Sequence, residues 1–386
     1  MGRVLILDGH ERSALAAVRS LGRRLEAVVA SESRGGSLAA RSRYAAAGLC
    51  CPSPAHAAAE FQAWLTQECE RGGYEMVLPL TDVSVPLVLQ IKDRLERWTK
   101  VPFVDLATYE AASDKRRLLE LAERLGVPTP RSIFARQPAE LAAGRVEMDF
   151  PLVIKPQRSK TLVEGRVLET GPVYVRSAAE LRAVLTRHPV LSRVPVIVQE
   201  RIEGQGIGLF ALYQEGRPVR LFAHRRLMEK PPSGGVSVLC ESIHLEADAR
   251  EQGLKLLSAL GWHGAAMVEW RRSRQGALYL MEINARFWGS LQLAVDAGVD
   301  FPYDLYRLSQ GTRLDPTAGG YRVGRRCGWL LGLVDHYYLR LKKRQLRAGG
   351  WPRPWKWPHT ADFVWRLDDP RPFWWELTGW LGRRGR

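Results

Sequence analysis

Cysteine is scarce in this chain of 386 residues. There are five, Cys50, Cys51, Cys69, Cys240 and Cys327, and no Cys-x-x-Cys pair. That spacing supports neither a disulfide framework nor a zinc site, and it fits a reducing cytoplasm. Long apolar runs are missing too. The longest near the C-terminus, Trp329 to Val334, falls well short of the roughly 20 residues a membrane-spanning helix needs. The chain passes from Met1-Gly2-Arg3 straight into the strand-like Val4-Leu5-Ile6-Leu7, too short a lead for a signal peptide. Ile6 breaks the myristoylation pattern that Gly2 would open. No G-x-S-x-G marks a nucleophilic serine and no Cys–His pairing is evident. The first turn lacks G-x-G-x-x-G, which disfavours a dinucleotide site.

Acidic residues are in deficit, but unevenly. The formal charge is +16, from 57 Lys and Arg against 41 Asp and Glu. Residues 321–386 hold 15 basic and 5 acidic side chains, so most of the excess lies in the last sixth of the chain. The same stretch holds eight of the thirteen tryptophans: Trp329, Trp351, Trp355, Trp357, Trp365, Trp374, Trp375 and Trp380. It also carries a basic cluster from Leu339 to Arg347. Three readings of this tail compete. Its tryptophans pack it onto the rest of the chain, or it lies on an anionic membrane surface, or its aromatics stack on bases. The order given is the order of preference, and nucleic acid is the least favoured partner.

What is present is a regular alternation. Val4 to Leu7, Leu25 to Ala30, Met76 to Leu80 and Val101 to Val104 read as strands, with helices at Ser13 to Leu21 and Glu60 to Arg71. Strands alternating with helices imply a parallel, doubly wound α/β sheet over 1–112. Ligands of such sheets lie at the strand C-terminal ends, where Asp8-Gly9-His10 and Thr81-Asp82 fall. Residues 113–126 read as a helix capped by Ser113 and stopped by Gly126. From 150 to 310 the pattern is α+β. Strands are expected at Leu152 to Lys155, Val196 to Glu200, Leu209 to Tyr213, Arg220 to His224, Ala265 to Trp270 and Leu278 to Ile283. Helices are expected at Ala178 to Thr186, Asp248 to Leu260 and Gly289 to Ala297.

One constellation carries chemistry. Residues 264–284 read as a hairpin around Arg271-Arg272-Ser273-Arg274-Gln275-Gly276, which sets Glu269 opposite Glu282. Alternation puts Glu282 and Asn284 on one face. Two carboxylates that close repel unless a cation intervenes, and a hard cation such as Mg²⁺ bound with nucleotide phosphates suits oxygen ligands. Arg286, two residues on, offers a fork to phosphate oxygens. The helix expected after Phe287-Trp288-Gly289-Ser290 would favour anions at its start.

Glu269 with Met281-Glu282-Ile283-Asn284-Ala285-Arg286, followed by Gly289-Ser290 and Ala297-Gly298-Val299-Asp300-Phe301-Pro302, resembles the metal-binding end of the ATP-grasp superfamily. The similarity is to the branch of biotin carboxylase and carbamoyl-phosphate synthase. It implies a Rossmann-like parallel-sheet domain at 1–112 and a two-lobed ATP-grasp module at 113–310, with a lid at about 150–205 and a C-terminal lobe at about 206–310. A basic, Trp-rich extension, 311–386, follows. It further implies ATP and Mg²⁺ (or Mn²⁺) as cofactors. Metal ligands would be Glu269, Glu282 and Asn284. ATP would meet Lys115 and Lys155 at its phosphates, Gln199, Glu200 and the Ile202 backbone at its base, and Glu203 at its ribose. Arg286 and either Arg225 or Arg226 would serve catalysis, and Gly234-Gly235-Val236-Ser237 would present backbone N–H groups to a substrate carboxylate. One departure is the phosphate-covering loop, 157–165, which has a single glycine. The activity implied is an ATP-dependent ligase joining a small carboxylate to an amine or thiol through an acyl phosphate. The rivals are carboxylation or simple phosphoryl transfer in the same fold, and a non-catalytic basic binding protein. The implied setting is cytoplasmic, with peripheral contact at the inner face of the membrane if the tail is lipid-seeking.

Overall fold

The computed structural model describes residues 2–144, 146–163, 166–232, 234–316, 320–342 and 360–384. Its first unit is a four-stranded parallel sheet of β1 (Arg3–Ile6), β2 (Glu26–Ser31), β3 (Ala47–Cys50) and β4 (Met76–Leu78), in the order β3-β2-β1-β4. The near-continuous apolar runs of β1 and β2 suit strands covered on both faces, and Val4, Leu5, Val28 and Val29 are all at most 1% exposed. The expected strand at Val101 to Val104 is not formed. Pro102 removes a ladder donor there, and these residues pack as a buried loop, with only Lys100 bridging Met76. The fourth strand is instead Ala47–Cys50, a largely exposed edge whose weak apolar pattern hid it.

The helix expected over 113–126 forms from Lys115 to Arg124, and a separate helix, Leu106–Ser113, precedes it. The cap is Asp114, not Ser113: its carboxylate accepts from the N–H groups of Arg116 and Arg117 at 3.0 and 3.2 Å. Beyond it lies a small antiparallel sheet of β5 (Ser132–Ala135), β6 (Leu152–Pro156), β9 (Val173–Val175) and β10 (Val196–Glu200), ordered β5-β10-β6-β9, with a hairpin of β7 (Lys160–Val163) and β8 (Arg166–Glu169). Period-two alternation decides its two faces. Leu152, Ile154, Val196 and Val198 form a separate core with Leu181 and Leu185 of the helix Ala178–Arg187. Val153, Lys155 and Gln199 face the other way.

That other face looks across a cleft to a seven-stranded sheet. It contains β11 (Gly204–Gln214), β12 (Arg217–Lys230), β13 (Val236–Ser242), β14 (Gly264–Ser273), β15 (Leu278–Asn284), β16 (Arg326–Gly328) and β17 (Thr360–Asp362), ordered β15-β14-β11-β12-β13-β16-β17. The last two strands come from the basic extension. The extension is also tied down elsewhere: Arg19 and Asp369, both almost fully buried, pair at 2.9 Å, and Arg19 also donates to the carbonyls of Phe363 and Val364. Trp351, Trp355, Trp357 and the part of the basic cluster beyond Lys342 lie outside the described residues. The helix expected from Gly289 begins at Leu291 and ends at Ala297.

Candidate active site

A cleft of about 750 Å³ lies between the four-stranded antiparallel sheet and the seven-stranded sheet. Its floor is the β14–β15 hairpin. The register pairs Glu269 with Glu282 and Met267 with Asn284, with a bulge just after Glu269. The alternate residues Val268, Trp270 and Ile283 turn into the core. The two carboxylates therefore stand side by side on one wall, and each is matched by a cation from elsewhere. Lys115 Nζ lies 3.4 Å from Glu282, and Arg226 donates to Glu269 at 2.5 Å. Burial raises the Glu269 carboxyl above its ordinary range despite Arg226. Burial acts the same way on Glu282, but Lys115 and Lys155 outweigh it and hold that group low. Asn284 makes only loose contacts, its amide 3.4 Å from Glu282 and 3.8 Å from the Met267 sulfur.

Arg226 reaches Glu269 because of a glycine. Strand β11 lies between β12 and β14, and at Gly206 a Cβ would stand 3.0 Å from the Arg226 Cδ. The missing side chain leaves a trough along which the arginine stem runs. Arg226 is also held by Glu229 at 3.1 Å and by the Gly235 carbonyl at 3.3 Å. Arg225, one residue earlier, points to the opposite face and pairs with Glu241, which also binds Arg326. Of the two arginines the sequence left open, Arg226 lines the cleft and Arg225 does not.

Arg286 differs from expectation in its partner. Its Nε and Nη2 donate to Asp82 at 2.9 and 2.8 Å, so the fork is filled by a carboxylate of the N-terminal sheet. Burial alone would raise Asp82, yet Arg286 pulls it below its usual value. The loop carrying Asp82 is set by Asp8, whose carboxylate accepts from Leu80 N at 2.8 Å, from Thr81 and from Ser84. Asp8 thus serves the fold rather than a ligand.

The opposite wall comes from β6 and β10. Lys155 has its pKa lowered to about 8, chiefly by burial. Lys115 is 6% exposed and donates to Ser159 at 3.2 Å. Gln199 is buried and donates to Ser132 at 2.9 Å; Glu200 accepts from the Arg131 N–H at 2.9 Å; Glu203 pairs with Arg274 at 3.1 Å. These three and Ile202 line the cleft, as do Gly234, Gly235, Val236 and Ser237, the latter two already opening β13. His224, 1% exposed and 3.3 Å from the Ser290 hydroxyl, is kept neutral by burial, its pKa lowered to about 3. Residues 164 and 165 of the covering loop lie outside the described residues. Sequence reading missed Arg12, His224, Glu229 and Trp288. Trp288 stood in the quoted 287–290 run without a role of its own, and Glu229, three residues after Arg226 on a strand, reaches it across register shifts that alternation does not foretell.

Several chemistries are open to such an arrangement, but the donor set narrows them. Among the described residues no three His, Cys, Asp or Glu cluster as a complete metal cage. Two carboxylates and an amide oxygen are instead an incomplete, all-oxygen set. That is the form Mg²⁺ takes when phosphate oxygens supply the remaining ligands.

Comparison with known proteins agrees with this picture. Residues 192–324 match the family model described as ATP-grasp in the biosynthetic pathway with Ter operon. A D-alanine–D-alanine ligase of Stutzerimonas stutzeri is 29% identical over 180 residues, 45% of this chain and 55% of that protein. The chain thus spans about half the length of this curated relative. The L-amino acid ligase of Bacillus licheniformis superposes with a TM-score of 0.64 at 17% identity, covering 84% of this chain and 78% of that one. The biotin carboxylase domain of Hydrogenobacter thermophilus 2-oxoglutarate carboxylase, solved with MgADP, ADP and bicarbonate, gives 0.62 at 16% identity, covering 84% and 73%.

Proposed function

This chain carries an ATP-grasp domain, and we propose that it is an ATP-dependent ligase that activates a small carboxylate as an acyl phosphate and joins it to an amine or thiol, releasing ADP and phosphate. The observation that carries the proposal is the cross-strand pair of Glu269 and Glu282 in a cleft also lined by Lys115, Lys155 and Arg226. In this reading Glu269, Glu282 and Asn284 hold Mg²⁺ or Mn²⁺, which neutralises phosphate charge and polarises the transferring group. Lys115 and Lys155 take the phosphates. Gln199, Glu200 and the Ile202 backbone meet the base, and Glu203 the ribose. Arg226 stabilises charge on the transferring phosphoryl group. Arg286, gripped by Asp82, positions the end of β15 rather than binding phosphate. Two sheets closing on the cleft exclude water that would hydrolyse the acyl phosphate. Ligation is preferred to carboxylation or simple phosphorylation because the similar proteins named above include two ligases of amino acids.

The test is product analysis across a panel of amino acids, peptides and sugar acids with MgATP. The expected products are ADP and phosphate, in an acid-dependent manner, with hydroxylamine trapping an acyl hydroxamate. Release of AMP and pyrophosphate, or nucleotide turnover indifferent to every acid, would refute the ligase reading.

A second reading concerns the extension. The helix Leu330–Lys342 exposes Leu330, Val334, Tyr338 and Leu341 at 41–51%. Their spacing places them on one face, while Gly332 and His336 are buried on the other. Arg340 and Lys342 follow, and the sequence continues with Lys343, Arg344 and Arg347. An apolar stripe beside basic residues suits an anionic lipid surface. No helix among the described residues is long and apolar enough to cross a membrane. In flotation assays, the wild type should rise with anionic vesicles and not with neutral ones, and a Val334→Asp/Leu341→Asp double variant should lose at least half of that fraction. Equal flotation of the two proteins would remove this reading.

A further inference from the structure

Arg12 opens the first helix, Arg12–Leu21, and lines the cleft, yet takes no part in the charge pairs described above. Its guanidinium carbon lies 3.9 Å from the centroid of the Trp329 ring and 5.9 Å from that of Phe363. Both rings belong to the C-terminal extension. Stacking of this kind uses the face of the guanidinium and leaves its N–H edges for other partners. Those partners are absent from the described residues. Arg12 has no ion pair or hydrogen bond among them, and its Nη1 is buried without an acceptor. Burial lowers its pKa, and the carboxylates of Glu376, Glu11 and Asp362 act on it only from beyond contact distance. Arg226 and Arg286, in the same cleft, are each matched by a carboxylate in contact.

The open edge has a definite cause. A Cβ built at Gly289 would stand 3.2 Å from Arg12 Nη2 and 3.9 Å from Nε. Glycine at 289 thus uncovers the Nε–Nη2 edge, the one a carboxylate grips with two parallel hydrogen bonds. Trp288 and Ser290 flank the opening and line the same cleft. A partly buried guanidinium without a matching anion lacks compensation for its lost hydration, and an anion gripped by the Nε–Nη2 edge supplies it.

We propose that Arg12, backed by Trp329 and uncovered at Gly289, receives a carboxylate of the substrate that does not react. The proposal rests on the ligase reading of the cleft and sharpens its substrate class. The reacting carboxylate belongs beside Arg226 and the Glu269–Glu282 pair, so a second carboxylate at Arg12 must be carried by the amine, making it an amino acid, or by the acid, making it a dicarboxylate. A site built around an unmatched arginine rejects a neutral isostere strongly, because the cation is then left buried and unpaired.

The experiment is calorimetric titration of the full chain, loaded with MgADP, with L-alanine, L-glutamate, succinate and glutarate. Alaninamide, glutamate α-amide and the monoamides of the two diacids serve as matched probes, each lacking one carboxylate of its parent. The expected result is at least one carboxylate binding tenfold or more tightly than its amide. The arm in which this occurs, amino acid or diacid, identifies the carrier. Arg12→Gln should erase the preference while leaving MgATP affinity within about twofold. Gly289→Ala, which keeps the charge but crowds the edge, should reduce it in the same direction and decides the matter if Arg12→Gln does not fold. No preference for carboxylates in the wild type, or an undiminished preference in a folded variant, overturns the inference. If the wild type fails to bind MgATP at all, the ligase reading itself falls; if MgATP binds and Arg12 makes no difference, only this inference does.

Discussion

Lys155 shows how a single buried residue ties the cleft to solution conditions. Its ammonium lines the cleft beside charged groups, and burial is the main reason its pKa lies near 8 rather than near 10.5. Below that value it is charged and ready to meet phosphate. Above it, binding must first recapture a proton, so the apparent Kd for MgATP should be flat below pH 8 and then rise toward tenfold per pH unit. Lys155→Arg, permanently charged, should flatten the profile. A rise that persists in the arginine variant would assign it to another group. His224 contributes no step between pH 5 and 8, because burial keeps it neutral with a pKa near 3. Residue-level chemistry was unevenly legible. Lys155 and the acids at 269 and 282 interrupt apolar strands, and that interruption is a signal in itself. Arg12 interrupts nothing. Its partners Trp329 and Gly289 are about three hundred residues away, and no local pattern joins them.

Strand β11 illustrates what an element contributes. Its glycines at 204, 206 and 208 lie on one face and could be read as a weak strand; in the fold, Gly206 makes room for Arg226 to cross to Glu269. Gly206→Val should overpack this trough, costing about 1–3 kcal/mol of stability in chemical denaturation. By displacing Arg226 it should also lower turnover on the order of 100-fold, as small misplacements of charged groups do. Wild-type turnover in this variant would show that the trough is incidental. The hairpin register was readable from sequence because the turn 271–276 is polar and period two allows only one face to the acids. The choice between Arg225 and Arg226 was not readable. Phe222, Ala223 and His224 just before them are all buried, so both strand faces look alike and alternation does not say which one meets the cleft. The missing strand at Val101 to Val104 has the opposite lesson: burial without a ladder donor at Pro102 imitates a strand in composition.

Across the whole molecule, distant segments meet at the cleft. The N-terminal sheet supplies Asp82 to Arg286, and the extension supplies Trp329 behind Arg12 and two strands to the large sheet. The parallel sheet and the α+β character of 150–310 were foreseeable, because strand and helix periods alternate clearly up to residue 310. The integration of the extension was not, since β16 and β17 are three residues each and too short to leave a periodic trace. Truncating the chain near Gly320 would therefore strip a sheet edge and orphan the buried Arg19, whose partner is Asp369. Point substitutions are the cleaner probe of the tail. The account as a whole stands on Glu269 and Glu282 forming a nucleotide-linked Mg²⁺ site. The direct measurement is calorimetric binding of ATP to the wild type and to Glu282→Gln, each with and without Mg²⁺. The expected result is wild-type binding that tightens at least tenfold with Mg²⁺, and loss of that Mg²⁺ dependence in Glu282→Gln. Equal Mg²⁺ dependence in the two proteins would contradict it.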